Sequence, residues 1–265
     1  MTNDQRRRYN RHLILDGIGE AGQERLLASR VLVVGAGGLG SPVLQYLAAA
    51  GVGTIGIIDG DRVSLSNLQR QVLHTTADLR RLKVESAKEK IAALTPDVKV
   101  LTYDCYLSEA NAMNIIRPYD FVIDGTDNFS PKYLINDACV MLGKAFCMGG
   151  ISRFRGQLMT HVPGSACYRC LFPEPPAQDE VETCAMVGVL GSIAGICGTL
   201  QATECIKYIT GAGDLLVNRC LCFDALAMEW MTLDVATNPH CAVCGTAPTI
   251  RELREYAFHP CKKTN

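Results

Sequence analysis

Residues Val31 to Asp59 set down a pattern that few folds accommodate. A short apolar run, Val31-Leu-Val-Val34, enters Gly35-Ala-Gly-Gly-Leu-Gly40, and an Ala/Leu-rich stretch follows as far as Ala50. A second apolar run, Thr54-Ile-Gly-Ile-Ile58, stops at Asp59. Strand, glycine turn, helix, strand, acid is the order of a βαβ nucleotide-binding unit. Gly35, Gly37, Gly38 and Gly40 permit the tight turn, and the helix N-terminus supplies positive potential for phosphate. Asp59 suits a pair of ribose hydroxyls. A glycine-rich turn with no ligand is the competing reading of the loop taken alone.

Past Asp59 the pattern acquires residues that a dinucleotide site does not need. Ser66-Asn-Leu-Gln-Arg-Gln71 contributes Ser66, Asn67, Gln69 and Arg70, and Lys83 follows. Hydride transfer has no obvious use for an Arg and two amides, whereas a triphosphate does. A single Arg or Lys is commonly a solvated surface residue. Arg70, however, falls just beyond the carboxyl end of a strand, where doubly wound sheets bind ligands. Asp124-Gly-Thr-Asp127-Asn128 ends another expected strand. Asp127 suits a magnesium ion bridging phosphates, and capping of the next helix is an alternative compatible with that role.

Strands and helices alternate through the first 150 residues. Helices are expected at Gln5–Leu15, Ala21–Ala28, Ser41–Ala50, Val84–Leu94, Asn128–Leu142 and from a cap at Ser108 to about Arg117. Strands are expected at Val31–Val34, Thr54–Asp59, Val98–Tyr103, Phe121–Asp124 and Ala145–Gly149. This alternation predicts an α/β fold with a doubly wound, mostly parallel, Rossmann-like sheet. After Gly150 the pattern changes to antiparallel strands within Gly156–His161 and Leu216–Leu233. Between them lie a Pro- and acid-rich loop, Phe172–Glu182, and a helix from about Met186 to Ile209. Glycines at 188, 191, 195 and 198 form one thin helical face, suited to close packing against a neighbouring helix or subunit.

The chain has 265 residues, 48% apolar, with a net charge of −1. That length and apolar content suit one large α/β domain or one domain with a small appendage, and the near-zero charge argues against a general polyanion binder. Arg6-Arg-Arg8 reads as a solvated helix start. The apolar stretch Ala185–Leu200 is shorter than the ~20 residues needed to span a bilayer. No membrane segment or signal peptide is expected, and the location read from the sequence is cytoplasmic.

Thirteen cysteines are present. Reduced thiols in the cytosol serve as core, metal ligands or catalysts. Cys167-Tyr-Arg-Cys170 and Cys241-Ala-Val-Cys244-Gly245 are two knuckles whose four thiolates satisfy tetrahedral zinc, so a closed, structural four-cysteine site is expected. A redox pair is the competing reading. Cys184, in Glu182-Thr-Cys-Ala, stands where the acidic loop meets a helix start. There a thiol gains thiolate character and can accept sulfur or an acyl group; a small buried hydrophobe is the alternative.

Taken in order, Arg8-Tyr-Asn-Arg11, Gly35-Ala-Gly-Gly-Leu-Gly40, Asp59-Gly-Asp61, Ser66-Asn-Leu-Gln-Arg-Gln71, Lys83-Val-Glu, Thr126-Asp-Asn128 and the two CxxC pairs resemble the ThiF/MoeB/HesA family. These are adenylating enzymes that activate sulfur-carrier proteins and are related to ubiquitin-activating enzymes. The resemblance spans Arg8 to Gly245 and implies a single adenylation domain, 1–245. Residues 1–150 would be its nucleotide half, 151–245 its carrier-binding, zinc-containing half, and 246–265 a tail.

By the same resemblance Gly38 contacts ATP and Asp59 holds its ribose, with Asp61 and Asn128 in the matching motifs. Asn67, Arg70 and Lys83 face the phosphates and Asp127 stands near magnesium. Arg11 reaches the site of a neighbouring subunit, implying a homodimer. Cys184 matches the position used for covalent sulfur chemistry. Lys132 stands where the family usually has Arg, and Leu82 where it often has Pro. Only about twenty residues follow Gly245, so sulfur is expected from a separate donor of the cysteine desulfurase or rhodanese type.

The expected activity is adenylylation of the C-terminal glycine of a small ubiquitin-like carrier, ThiS- or MoaD-like with a Gly-Gly tail. Thiamin and molybdopterin synthesis both use such enzymes. An NAD-dependent oxidoreductase is the alternative enzyme class. It leaves Arg70, Lys83 and Asp127 without a task. An inactive nucleotide-binding scaffold is the third reading.

Overall fold

In the computed structural model, which describes residues 1–176 and 187–254, eight strands form one sheet. The helices and strands of the first half are α1 (Asn3–Arg8), α2 (Asn10–Leu13), α3 (Gly19–Ala28), β1 (Arg30–Val34), α4 (Gly40–Ala50), β2 (Thr54–Ile58), α5 (Lys83–Leu94), β3 (Lys99–Tyr103), α6 (Ala112–Ile116), β4 (Phe121–Asp124) and α7 (Phe129–Leu142). The second half contributes β5 (Ala145–Ser152), β6 (Arg155–His161), α8 (Tyr168–Leu171), α9 (Gly191–Thr210), β7 (Arg219–Asp224) and β8 (Glu229–Asp234).

The sheet order is β3-β2-β1-β4-β5-β6-β7-β8. Strands β1 to β5 are mutually parallel, while β6, β7 and β8 continue the sheet antiparallel. The central parallel strands are buried on both faces, which is why they read as unbroken Val/Ile runs. One core lies beneath α4, α5 and α9 and a second beneath α6 and α7. The chain reverses its winding between β1 and β4, and that switch point opens a crevice beyond the strand ends.

Three sequence expectations are corrected. The first helix is broken at Tyr9 into α1 and α2. Tyr9 is drawn inward, donates to Asp97 Oδ2 at 3.1 Å and packs its ring against Gly51, where any Cβ would collide with it. Ser108 does not cap α6; Asn111 Oδ1 accepts from Ser108 N at 2.8 Å, and the helix starts only at Ala112. The long helix starts at Gly191. The preceding residues run alongside Arg153, with Leu190 N donating to Arg153 O at 3.1 Å.

The glycine face of α9 is used for close packing within this chain. A Cβ at Gly198 would come within 2.5 Å of Leu39 O and 2.6 Å of Pro42 Cγ, so α9 lies directly on α4. A Cβ at Gly191 would come within 2.2 Å of Gln69 O. Gly195 meets nothing nearby, and Gly188 precedes the helix with φ +79.

Candidate active site and cysteine cluster

The carboxyl ends of β1, β2 and β4 converge on a cavity of about 1190 Å³ that continues along the antiparallel half of the sheet. Gly35, Gly37, Gly38, Asp59, Asp61, Arg70, Lys83, Asp127 and Asn128 line its parallel end. The glycine loop requires glycine at its two ends. Gly35 has φ +95 and a Cβ there would stand 2.8 Å from Gly125 O; at Gly40 it would stand 1.9 Å from Gly35 O.

The loop is held from both sides at Ala36. Asp59 Oδ2 accepts from Ala36 N at 2.8 Å, and Asp59 Oδ1 accepts from Asp61 N at 2.8 Å. On the other side His74 Nε2 lies 3.0 Å from Ala36 O and His74 Nδ1 2.8 Å from Ser86 Oγ. A carbonyl only accepts, so Nε2 carries the proton and Nδ1 accepts from Ser86. Burial depresses the imidazole below its ordinary value, reinforced by Lys83 and opposed by the Ala36 bond. Sequence reading passed over His74; its place three residues after Gln71 gave no signal of the contact.

Lys83 opens α5, buried, with Nζ 2.8 Å from Asp61 Oδ2 and 3.9 Å from Asp59 Oδ2. Burial raises the Asp61 carboxyl, but hydrogen bonds from Lys83 and Tyr106 outweigh it and hold the group below its usual value. Tyr106, unmarked in the sequence, donates to Asp61 Oδ1 and covers Gly60 with its ring.

Arg70 lays its aliphatic stem near Gly38 and donates through Nη1 to Ser66 O at 3.1 Å. Gln71 is buried beside Gly37, and its Oε1 has no hydrogen-bond partner. An unsatisfied buried amide facing a phosphate-type loop fits the wall of a ligand site. Ser66, Asn67 and Gln69 flank Arg70 without lining the wall; Asn67 Oδ1 accepts from Ser64 N at 3.4 Å.

Asp127 and Asn128 sit exposed at the end of β4, with Asn128 Nδ2 donating to Asp127 Oδ1 at 3.0 Å. Asn128, not Asp127, occupies the cap position of α7. The loop before them is fixed by Asp124, which accepts from Thr126 N at 3.0 Å and from Lys132 Nζ at 2.5 Å. Lys132 Nζ also donates to Thr126 O at 3.2 Å and to Gly149 O. Lys132 therefore braces the β4 loop against β5. Arg11, exposed on α2, does not line its own chain's cavity. Cys184 lies outside the described residues.

The two CxxC knuckles meet. All four Sγ atoms of Cys167, Cys170, Cys241 and Cys244 lie within 4.8 Å of one another. Cys167 Sγ is 3.5 Å from Cys241 Sγ and Cys170 Sγ is 3.4 Å from Cys244 Sγ. These gaps far exceed the ~2.05 Å of a disulfide and suit four thiolates around one ion. Asn238 N donates to Cys170 Sγ at 3.4 Å. The Cys167 bond pulls the Cys241 thiol well below its ordinary value, while the same bond pushes Cys167 up. The first knuckle is fastened to α7 by Arg169, whose Nε and Nη2 reach Asp137 at 2.8 and 2.9 Å, and by Tyr168 N on Asn136 Oδ1 at 2.8 Å.

The fold and this crevice define an α/β protein of the doubly wound, nucleotide-binding type. The chain belongs to the ThiF family, which it matches over residues 9–243. It is 47% identical over 261 residues to the sulfur carrier protein adenylyltransferase of Thermus thermophilus, covering 96% of each chain. It is 46% identical over 254 residues to the probable adenylyltransferase/sulfurtransferase MoeZ of Mycobacterium tuberculosis, covering 94% of this chain and 63% of MoeZ. Among solved structures, E. coli MccB superposes with a TM-score of 0.81 at 20% identity, over 98% of this chain and 77% of that one. That likeness concerns the fold.

Proposed function

We propose that this chain adenylylates the C-terminal glycine of a small ubiquitin-like sulfur-carrier protein, ThiS- or MoaD-like, and releases pyrophosphate. One observation carries the reading: Arg70, Lys83 and Asp127, from three separate segments, meet the glycine loop at one cavity end. The near full-length similarity to the Thermus adenylyltransferase supports it.

The carrier carboxylate attacks the α-phosphorus of ATP, forming a P–O bond as the bond to the β-phosphate oxygen breaks. The carboxylate is already ionised, so no general base is required. The protein's task is positioning and charge neutralisation. Arg70 and Lys83 face the phosphates, the Gly35–Gly40 loop offers backbone N–H groups, and Asp59 receives the ribose. Arg11 completes the site from a second subunit, making the working form a homodimer. Asp127 would hold magnesium, which when bound neutralises phosphate charge. Cys167, Cys170, Cys241 and Cys244 would hold zinc, which ties the C-terminal segment to the middle of the fold.

Residues 1–245 act as one adenylation unit, with 1–150 as nucleotide half, 151–245 as carrier half and 246–265 as tail. The far end of the cavity, lined by Gln157, Tyr168, Cys222 and Trp230, supports entry of an extended carrier tail from the antiparallel side. The persulfide of a separate cysteine desulfurase or rhodanese-type donor displaces AMP from the adenylate. The Cys184 thiolate then attacks the donor-side sulfur of the acyl persulfide, releasing the carrier thiocarboxylate and leaving a disulfide between Cys184 and the donor, in the cytoplasm where thiols stay reduced. No helix among the described residues is long and apolar enough to cross a membrane.

Carrier-dependent ATP–pyrophosphate exchange tests the proposal. Exchange is expected with a ThiS- or MoaD-like carrier and not with one lacking its terminal glycine. A folded sample with no exchange across such carriers overturns it.

A further inference from the structure

The antiparallel end of the cavity, besides offering a wall to a carrier tail, carries a group of sulfur side chains whose metal-binding chemistry adenylylation does not use. Strand β7 presents Cys220 and Cys222 to one face, with their Sγ atoms 3.9 Å apart. Met159 on β6 is directly opposite Cys220, and Met231 on β8 is directly opposite Cys222. Residues so opposed share a sheet face with Cβ atoms about 4.5–5.5 Å apart, within reach of a long thioether. All four line the cavity.

Two adjacent thiols have three ordinary uses, and two fit poorly. Residues i and i+2 of one strand have Cα atoms about 6.8 Å apart at about 3.4 Å per residue, roughly the upper limit of what a disulfide spans. Zinc takes four N, S or carboxylate ligands. Among the described residues, the one group of three or more His, Cys, Asp or Glu close enough to share an ion is the separate four-cysteine cluster. Thiolates joined by thioethers instead select a soft monovalent ion, with copper(I) the leading case. The 3.9 Å gap falls within the 3.4 to 4.0 Å seen between thiols of the four-cysteine cluster, so one ion can bridge the pair without moving the strand.

We propose that Cys220 and Cys222, assisted by the thioethers of Met159 and Met231, form a binding site for one copper(I) ion. Binding replaces the two S–H protons with two S–Cu bonds and releases both protons through the cavity mouth, which the half-buried Cys222 reaches. No electron is transferred. Burial and the neighbouring thiol push Cys220 up to about 12, so uptake competes with protons and strengthens as pH rises.

The full zinc-loaded chain, reduced and anaerobic, is titrated with copper(I) against bathocuproine disulfonate. Bound copper, retained zinc and the thiolate-to-copper absorption in the ultraviolet are followed. One tight equivalent with zinc retained is expected. Cys222→Ser and Cys220→Ser should each lose that equivalent and its absorption while keeping zinc and the circular dichroism of the parent. Met159→Leu and Met231→Leu should keep the equivalent with weaker affinity. Undiminished copper uptake by the Cys220→Ser/Cys222→Ser double variant, release of one zinc per copper bound, or no tight uptake by the parent overturns the site. None of these outcomes depends on adenylylation, so the two proposals fail separately.

Discussion

The Lys83 ammonium stands between two carboxylates at the end of β2, 2.8 Å from Asp61 Oδ2 and 3.9 Å from Asp59 Oδ2. A buried ammonium is tolerated only when paired. Asp61 is half exposed and can turn to solvent, so an incoming phosphate can replace it without leaving Lys83 unpaired. Lys83→Ala is expected to lower carrier-dependent exchange about 10²–10³-fold, the usual effect of removing one preorganised transition-state donor. Lys83→Arg should recover only part, because the guanidinium fork is a different shape. Wild-type exchange in a folded Lys83→Ala protein would remove Lys83 from the phosphate site.

His74 supplies a pH dependence of defined sign. Its folded value lies below the ~6.5 of the unfolded imidazole. A depressed basic group makes the unfolded state bind more protons, so its stabilisation is present above pH ~6.5 and is lost as pH falls below it. The Tm should therefore drop from about pH 7 toward about pH 5.5, and His74→Gln should flatten that part of the profile. His74→Ala leaves Ala36 O and Ser86 Oγ without their partner and should cost about 1–3 kcal/mol. An unchanged acid limb in His74→Gln would assign the dependence elsewhere.

Arg11 tests the shared site. Arg11→Ala and Lys83→Ala proteins should each be inactive, yet their mixture should regain activity. In a two-fold dimer each mixed pair rebuilds one complete site of two, giving about a quarter of wild-type exchange at equal mixing. Mixing after subunit exchange, confirmed by native mass spectrometry, is the measurement. No recovery would mean that Arg11 serves its own chain or none.

Metal removal should reach beyond the cysteines. Cys244→Ser, or prolonged chelation, is expected to lower Tm and to free the 238–245 segment from the Cys167–Cys170 knuckle, seen as faster hydrogen exchange there. A four-thiolate site contributes a large part of the about 10–16 kcal/mol that structural zinc gives to small metal domains. Equal zinc content in Cys244→Ser and parent would contradict the assignment.

The parallel half was legible because its signals are local. Val31–Val34 and Thr54–Ile58 are buried on both faces and so consist of apolar runs. Gly40 is required by Gly35 O only five residues away, and Gly35 by its own positive φ. The break at Tyr9 was not legible, since it depends on Asp97 and Gly51, far along the chain. Tyr106 over Gly60 and His74 beneath Ala36 were missed for the same reason: neither residue type nor spacing marks a partner brought near only by folding.

The sequence by itself determined the βαβ unit with its glycine loop, the order of the residues expected to face phosphate and the two CxxC knuckles, because each needs particular residue types at short spacing. Only the tertiary structure decided that Asp61 is the partner of the buried Lys83 ammonium. It alone decided that Lys132 braces a loop, and that Cys167 and Cys241 lie 3.5 Å apart after 74 residues of separation. Those outcomes rest on sheet register and helix packing, in which the energy of each contact is shared between segments that carry no mark of one another.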